Sequence, residues 1–502
     1  MAQGMKRLAK ETAIYGVSSI AGRFLNWLLV PMYTRVLANT GEFGVFTNLY
    51  AWVALLLVIL TYGMETGFFR FINKKEEQNP MRVYSTTLFS LGVTSILFLV
   101  LAAVFLSPVS ELLGYIDRPE YVGMMLGIVA VDAFCSIPFA FLRYQGKAIR
   151  FAGIKLFSIF LNIALNLFFF IACPFLYRYY PETIDWFYQP DYGVGYAFIA
   201  NVFTTAVTFI LLIPDMLPGF RSKPDLFLLK QMLRYSFPIL LLGIAGIFNQ
   251  TADKIIFPFL FEDKMYANEQ LGIYGACFKI AVIMVMFIQA FRYAYEPFIF
   301  AKNKEDEQNH KAYVEAMKYF IIFGLLIFLG VMFYIDIIKY FVTPEYYPGL
   351  KVVPIVMLGE LFFGIYFNLS LWYKLIDQTK WGAYFSAIGC VVTILIIVYF
   401  APVYGYMACA WASFGCNLLM MILSYVVGQK KFPISYDIRS AFIYFAVAAL
   451  LFVAGMLPPI ASEIGRFLYR TVLLLIYIAF VVKRDLPLKE LPYIGRFFNK
   501  RF

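Results

Sequence analysis

The chain has 502 residues, of which 62% are hydrophobic and only 15% are charged, with a mean hydropathy of +0.74. A soluble globular chain is nearer half apolar and a quarter charged, so this composition excludes a soluble domain as the main body of the protein. The net charge of +11 fits basic segments that face an anionic membrane leaflet. Nothing else in the sequence indicates nucleic-acid binding, and we predict none.

Continuous apolar stretches recur along the whole chain. Each is long enough to cross about 30 Å of hydrocarbon as a helix of roughly 20 residues. The stretches do not alternate between apolar and polar residues, which excludes a closed β-barrel. We therefore predict an all-α integral membrane protein. The fourteen predicted helices, in chain order, are approximately 12–36, 43–70, 83–107, 121–145, 151–177, 193–214, 233–260, 271–300, 313–335, 350–374, 381–401, 405–428, 438–456 and 464–482.

Lysine and arginine residues concentrate in every second connection between these helices. Cytoplasmic loops carry such an excess, so the pattern predicts a multi-pass protein with both termini in the cytoplasm. The first helix is too long for a signal-peptide core and lacks a small-residue cleavage site, so we expect it to be retained as the first span.

Two parts of the chain have similar sequences. EFGVFTNLYAWVALLL begins at Glu42, and QLGIYGACFKIAVIMV begins at Gln270. A Pro-Glu-Tyr triplet also opens the fourth helix at Pro119 and the tenth at Pro344, at a nearly equal separation. Because each repeat has an even number of helices, both copies enter the membrane in the same orientation. We predict two six-helix bundles related by a pseudo-two-fold axis along the membrane normal, with a cleft between them, as in transporters that work by alternating access.

The repeat predicts three parts of the chain. Residues 1–222 form an N-terminal six-helix lobe, and residues 223–430 form a C-terminal six-helix lobe. Residues 431–502 add a hairpin of two further transmembrane helices and a basic cytoplasmic tail.

The sequence lacks the motifs of enzymes and metal sites. It contains no Walker-type phosphate loop and no nucleophilic triad. The six cysteines lie within predicted helices without a CxxC pair, and the one histidine, His310, lies in a predicted cytoplasmic loop beside Lys311. We interpret the cysteines as apolar core residues. We therefore predict no catalytic residues, no metal site and no cofactor, and we predict that the protein is not an enzyme.

The most specific pattern lies at the N-terminal end of the chain, in the first two predicted helices. ETAIYGVSSIAGRFLNWLLVPMYTRVL is followed by EFGVFTNLY and then by GMETGFFRF. These segments, together with the plan of six, six and two helices, resemble Wzx-type polysaccharide (O-antigen) flippases. That family belongs to the multidrug/oligosaccharidyl-lipid/polysaccharide exporter superfamily. In these flippases an arginine often follows a small residue in the first helix, and Gly22-Arg23 matches that pattern.

The resemblance implies a flippase of the bacterial inner membrane. Its substrate would be an undecaprenyl-diphosphate-linked oligosaccharide, moved by alternating access from the inner to the outer leaflet. The product would serve the assembly of O-antigen, capsule or exopolysaccharide. The implied partners are the lipid-linked substrate, the bilayer, and the polymerase and chain-length proteins of the export pathway.

Basic residues within the predicted helices are candidates for binding the lipid diphosphate. A charge at the centre of a spanning helix costs roughly 3 kcal/mol and usually faces a cavity or a partner. Guanidinium groups suit forked contact with phosphate, and lysine acts as a point charge. The alternative is that each cation pairs with a nearby acid or extends to an interface. The candidates are Arg23, Lys254, Lys279 and Arg292.

Acidic residues within the helices form a second group of candidates. Two of them occupy corresponding positions in the repeats, at the same separation as Glu42 and Gln270. Such a pair either binds a coupling proton or sodium ion or fixes cavity arginines through salt bridges, and we favour the structural role. The related multidrug exporters often carry an acid in the first helix for ion coupling, and this chain has none there. The acids are Glu65, Asp253 and Glu296, with Asp132 and Glu360 as the corresponding pair.

Aromatic residues make up 20% of the chain. We expect most tryptophans and tyrosines to lie at the membrane interfaces. Trp27, Tyr62 and Tyr293 lie on or near polar helix faces and are candidates for stacking on sugar rings.

Two other functions fit parts of the pattern. An ion-coupled multidrug exporter of small amphipathic cations would have a net acidic cavity, whereas the deep residues here include Arg23 and Lys279. A membrane polymerase or ligase acting on the same lipid would need a large outer loop with catalytic residues. The predicted outer loops are too short for that role.

The charge distribution gives a direct test of topology. Reporter fusions after Arg178 and Lys264 are expected to report a periplasmic location, and a fusion after Lys304 a cytoplasmic one, because basic loops stay inside. Alkaline phosphatase and green fluorescent protein fusions at each position check the assignment. A periplasmic signal after Lys304 would contradict the fourteen-helix topology.

Overall fold

The protein is an all-helical membrane protein. The computed structural model describes residues 21–73, 79–300, 307–376 and 378–485, with the side chains of residues 294, 296–300 and 307–309 left undescribed. Within these ranges, thirteen helices are long and apolar enough to cross a membrane. They coincide with the second to the fourteenth predicted spans, which confirms the predicted fold class. The first predicted span, 12–36, lies partly outside the described residues.

The helices are numbered here in chain order. Several spans combine more than one helical segment, and the segments are given together for each span. The bounds are α1 (residues 21–27 and Val30–Val36), α2 (Thr40–Thr61 and Met64–Ile72), α3 (Pro80–Val104), α4 (Pro119–Tyr144), α5 (Ala148–Leu167, a π turn Phe168–Ala172 and Cys173–Tyr179), α6 (Gly195–Arg221), α7 (Leu226–Ile256 and a 3-10 turn Phe257–Leu260), α8 (Lys264–Phe300), α9 (Glu307–Phe333), α10 (a 3-10 segment Pro344–Lys351, Val352–Leu369 and Leu371–Leu375), α11 (Lys380–Tyr404), α12 (Met407–Lys431), α13 (Ile438–Met456) and α14 (Glu463–Arg484).

Each repeat packs around its fourth helix. In the first repeat, α4 contacts α2, α3 and α6. In the second, α10 contacts α8, α9 and α12. The extra helices α13 and α14 pack against each other and against α9. Because α4 and α10 are the most enclosed helices of their bundles, their polar residues must find partners within the protein.

The pseudo-symmetry is visible in the contact between α2 and α8. A Cβ atom added to Gly44 would lie 1.9 Å from the carbonyl oxygen of Asn268, and one added to Gly272 would lie 1.8 Å from the carbonyl oxygen of Thr40. The separation in sequence between Gly44 and Gly272 equals that between Thr40 and Asn268, and it is the separation of the two repeats. The two contacts are therefore copies of one contact. Only glycine, which has no side chain, permits a helix to approach a backbone carbonyl oxygen this closely.

This glycine seam holds the two repeats together at one end of the molecule. Thr40 begins α2, and Asn268 lies in the first turns of α8. The charge distribution predicts that α2 and α8 both begin outside, so this end is called the outer end below and the opposite end the inner end. In this conformation the repeats are tightly packed at the outer end.

The helix α7 contacts both repeats. In its inner half, the Ser236 carbonyl oxygen lies 2.9 Å from the Cβ position of Gly63 in α2. In its outer half, the Asn249 side-chain amide donates to the carbonyl oxygen of Ser386 in α11 at 2.9 Å. Pro238 lies between these two stretches, and a proline inside a helix removes a backbone hydrogen bond. The predicted lobe boundary at residue 223 remains a prediction, and α7 is the helix that connects the two sets of contacts.

The glycine seam predicts that Gly272→Ala destabilises the protein. The added methyl group overlaps the Thr40 carbonyl, and overpacking of this kind costs about 1–3 kcal/mol. The thermal unfolding midpoint of the detergent-purified protein measures the effect. Gly127→Ala in α4 is the matched control, because nothing lies within 4 Å of its Cβ position. Equal midpoints for the two variants would contradict a tight seam.

Candidate functional site

The first predicted candidate, Arg23, lies in the described part of α1. Its side chain is exposed, and the preceding residue, Gly22, packs against Ile159 of α5. One turn further along, the Trp27 indole N–H donates to the carbonyl oxygen of Lys279 in α8 at 2.6 Å. The α1 helix of the first repeat is therefore bonded to the α8 helix of the second, and Arg23 lies beside that junction.

The Trp27 ring is already occupied by protein contacts. It stacks on Phe341 with ring centroids 4.3 Å apart, and on Phe24 at 5.9 Å. The predicted stacking of Trp27 on a sugar ring is not tested by this structure. Its observed role is to join the two repeats.

Lys279 lies on the face of α8 that meets the other repeat. It follows Gly272 and Gly275 at helical spacing, and the Cβ position of Gly275 lies 2.4 Å from the Thr47 hydroxyl of α2. Lys279 is one turn further toward the inner end and about 22 Å along the helix from Lys264, at 1.5 Å per residue. It therefore lies between the repeats, just inward of the glycine seam.

The Lys279 ammonium lacks a compensating anion among the described residues. Within those ranges it has neither a hydrogen bond nor an ion pair. The one charged group with which it interacts electrostatically is Lys254, another cation. A charge in this region is costly without a partner, and an anion bound between the repeats would compensate it.

Lys254, in contrast, is bonded to the acid that precedes it. Its ammonium lies 2.9 and 2.8 Å from the two carboxylate oxygens of Asp253. The Tyr274 hydroxyl donates to the same carboxylate at 2.6 Å. The side chains of Lys254 and Asp253 are only 13% and 5% exposed. Glu360 of α10 interacts electrostatically with both residues, so three of the predicted site residues form one cluster.

The other predicted acids of the first repeat form a second cluster. Glu65 of α2 makes an ion pair with Arg143 of α4. Asp132 of α4 accepts a long hydrogen bond from the Thr205 hydroxyl at 3.4 Å. Both carboxylates interact electrostatically with Lys155 of α5. The acids thus lie near basic groups of their own repeat, and Arg23 is not among those groups.

Lys155 is absent from the sequence-based candidates. It lies close to the beginning of the predicted fifth helix, where a lysine fits an interfacial position. The actual helix begins at Ala148, so Lys155 lies two turns beyond the first residue of α5. The signal in the sequence is the spacing of Lys155, Ser158, Asn162 and Asn166, which forms a polar stripe along α5.

The structure gives the following positions for the remaining candidates. The Arg292 guanidinium lies 4.0 Å from the centre of the Phe367 ring, and Tyr293 is 42% exposed. The Glu296 side chain lies outside the described residues. Tyr62 interrupts α2 with a φ of 32°, unusual for a residue other than glycine, and its hydroxyl is 2.6 Å from that of Ser90.

Comparison with known proteins gives matches in sequence and in structure. The family model described as polysaccharide biosynthesis protein matches residues 8–301. A second family model, MatE, matches residues 264–400. No curated protein sequence matches the chain.

Two solved structures illustrate the similarity of fold. The lipid II flippase MurJ in an inward closed conformation has a TM-score of 0.72 and 14% identity, covering 93% of this chain and 98% of that one. An inward-facing multidrug resistance MATE family transporter of the MOP superfamily has a TM-score of 0.63 and 14% identity, covering 82% of this chain and 94% of that one. Similarity at this identity shows the fold alone.

The Trp27 contacts predict a stability effect that distinguishes a joining role from sugar stacking. Trp27→Phe keeps an aromatic ring but removes the N–H donor, so it is expected to lower the unfolding free energy by about 1 kcal/mol. Thermal unfolding of the protein without substrate measures this. Trp186→Phe is the control, since Trp186 is 81% exposed and its indole bonds only within its own loop, to Thr183. If Trp27→Phe and Trp186→Phe unfold alike, the α1–α8 bond contributes nothing.

Proposed function

Because the chain belongs to the polysaccharide biosynthesis protein family, we propose that it is a flippase for a lipid-linked oligosaccharide. The proposed substrate is an undecaprenyl-diphosphate-linked repeat unit, moved from the inner to the outer leaflet of the bacterial inner membrane. The fold shared with a lipid II flippase and a multidrug transporter supports transport across a membrane. The family supports an oligosaccharide cargo, and O-antigen, capsule and exopolysaccharide assembly are the proposed destinations.

The observation that carries the proposal is that the Lys279 ammonium has no compensating anion among the residues that the structure describes. A lipid diphosphate brings negative charge into the membrane and needs a cation there. Lys279 supplies one between the two repeats, and Arg23 lies on the neighbouring helix α1. We propose that these two residues contact the diphosphate, with the forked guanidinium of Arg23 fixing its orientation. Arg292 is proposed to act earlier, nearer the inner end of α8.

The packing of the repeats suggests the order of events. The glycine seam closes the outer end, so the substrate enters from the inner side. The helix α2 packs tightly on α7 at Gly63 and Gly67, and α1 is joined to α8 by the Trp27 bond. We propose that the lipid chain remains in the bilayer beside α1 and α8 while the diphosphate and sugars occupy the space between the repeats. Opening of the glycine seam then releases them outside.

A multidrug exporter is the second candidate. The MatE match over residues 264–400 and the similarity to a multidrug transporter favour it. An exporter of organic cations requires a cavity that attracts cations, and Lys279 opposes this. Efflux of a cationic dye by cells expressing the protein would favour the exporter over the flippase.

Substitution of the two proposed diphosphate contacts tests the function. Lys279→Ala and Arg23→Ala are each expected to lower translocation of a labelled lipid-linked oligosaccharide in proteoliposomes by about tenfold or more, because a charge-assisted bond to phosphate contributes roughly 1.5–3 kcal/mol. Arg23→Lys keeps the positive charge but loses the paired N–H donors of the guanidinium, and it should retain partial activity. Lys351→Ala, at an exposed lysine, is the control. Normal translocation by Lys279→Ala would contradict the proposal.

The driving force gives a separate prediction. Outward movement of an anion is favourable in an inside-negative membrane, by about 2.3 kcal/mol per charge per 100 mV. We expect the membrane potential to accelerate flipping without a sodium or proton gradient. A potassium potential set with valinomycin, at equal pH and without sodium, measures this in proteoliposomes. Rates that do not change with voltage would direct attention to Asp132, Asp253 and Glu360 as ion-coupling residues.

A further inference from the structure

In each repeat, a lysine interacts electrostatically with the internal acid. Asp132 of α4 and Glu360 of α10 are related by the repeat. In the first repeat, the lysine that interacts with Asp132 is Lys155 of α5. In the second, the lysine that interacts with Glu360 is Lys254 of α7. The acids correspond by symmetry, whereas the lysines come from helices that do not correspond.

In the second repeat, oxygen atoms of Asp253 and Gln250 contact the Lys254 ammonium. The Lys254 ammonium contacts both carboxylate oxygens of Asp253 and the carbonyl oxygen of Gln250 at 3.3 Å. The Tyr274 hydroxyl is bonded to the same carboxylate, and the ring of Phe278 lies 4.3 Å from the ammonium. Oxygen atoms of carboxylate and carbonyl groups are the ligands that hard metal cations take.

We propose that Lys254 is a tethered counter-ion whose ammonium occupies a place in the second repeat that would otherwise bind a free monovalent cation. A buried carboxylate is costly without a positive charge beside it, and Lys254 supplies that charge to Asp253 from the adjacent position in the chain. A free cation that binds and leaves during transport would couple the cycle to its gradient. A tethered cation cannot leave, so this repeat undergoes its conformational change without ion exchange.

The first repeat has a looser arrangement of lysine and acid. Among the described residues, the Lys155 ammonium has no ion pair within 4.0 Å and lies 4.1 Å from the centre of the Phe139 ring. Its interaction with Asp132 acts over a longer distance. Lys155 therefore compensates Asp132 without occupying a set of oxygen ligands, and its removal is expected to have the smaller effect.

Thermal unfolding of the purified protein tests the proposal without any transport assay. Each protein is unfolded in sodium chloride and in N-methylglucamine chloride at equal ionic strength. The wild-type protein is expected to unfold at the same temperature in both salts. Lys254→Met, which keeps the length of the side chain without its charge, should unfold several degrees lower in N-methylglucamine and recover in sodium in a saturable manner.

The matched controls identify the carboxylate as the source of the effect. The double variant Lys254→Met/Asp253→Asn should lose the sodium response, because the uncompensated charge is gone. Lys279→Met should show no sodium response, because no acid faces that lysine among the residues that the structure describes. A wild-type protein stabilised by sodium as strongly as Lys254→Met would overturn the proposal, and so would a Lys254→Met variant indifferent to sodium.

Lys254→Gln is the second variant if Lys254→Met cannot be purified in either salt. It removes the same charge beside Asp253 and should show the same sodium response. Absence of that response, or failure of both variants to be purified even in sodium, would overturn the proposal.

The consequence for transport rests on the proposed function. Flipping by the wild-type protein should be unchanged when N-methylglucamine replaces sodium, whereas flipping by Lys254→Met should become several-fold faster in sodium. The unfolding and translocation measurements distinguish failure of the proposed function from failure of the tethered counter-ion. Unfolding as predicted without translocation of the lipid-linked oligosaccharide would reject the function and keep the tethered cation. Translocation with no sodium response in Lys254→Met would reject the tethered cation alone.

Discussion

Charged side chains within the hydrocarbon region of a membrane are costly unless a partner or water compensates them, and the placement of partners organises this protein. Asp253 is compensated by Lys254, Glu65 by Arg143, and the buried Arg470 by Asp336. The first pair lies within α7, the second joins α2 to α4, and the third joins α14 to the segment after α9. Lys279 differs because the charged group near it is another cation. That difference, more than the number of basic residues, separates a proposed binding group from structural ones.

The second organising feature is the repeated contact of Gly44 and Gly272. Because glycine has no side chain, the two helices approach each other backbone to backbone at these two positions. Lys279 lies on the same face of α8, about two turns further inward. Opening of the seam would therefore change the surroundings of Lys279 directly. The proposed anion contact and the proposed outer closure are thus parts of one helix face.

Much of the fold follows from patterns that the sequence displays. Apolar length predicts the helices, and the internal repeat predicts two similar bundles. The repeat also places Gly44 and Gly272 at the same position of the two matching segments, whereas their close contact is known only from the structure. The correspondence of Asp132 with Glu360 is equally visible. These features depend on local composition and on repetition, and both can be read along the chain.

The partners of the charged residues depend on tertiary packing and could not be predicted in the same way. Lys254 was a candidate for the diphosphate, and its sequence neighbour Asp253 holds it instead in the present conformation. Lys155 was missed because its helix begins earlier than the apolar pattern indicates. The interruption of α2 at Tyr62 was missed as well, since the apolar run continues through it, and the unusual backbone there is followed by Gly63 in the same left-handed region.

The central claim is that the diphosphate binds where a cation lacks a partner. The most direct measurement is an experimental structure of the protein with an undecaprenyl-diphosphate-linked oligosaccharide bound. The account predicts the phosphate groups within bonding distance of the Lys279 ammonium and the Arg23 guanidinium, with the Lys254–Asp253 pair intact. Phosphate bound to Lys254, with Asp253 displaced from it and Lys279 uninvolved, would contradict the account.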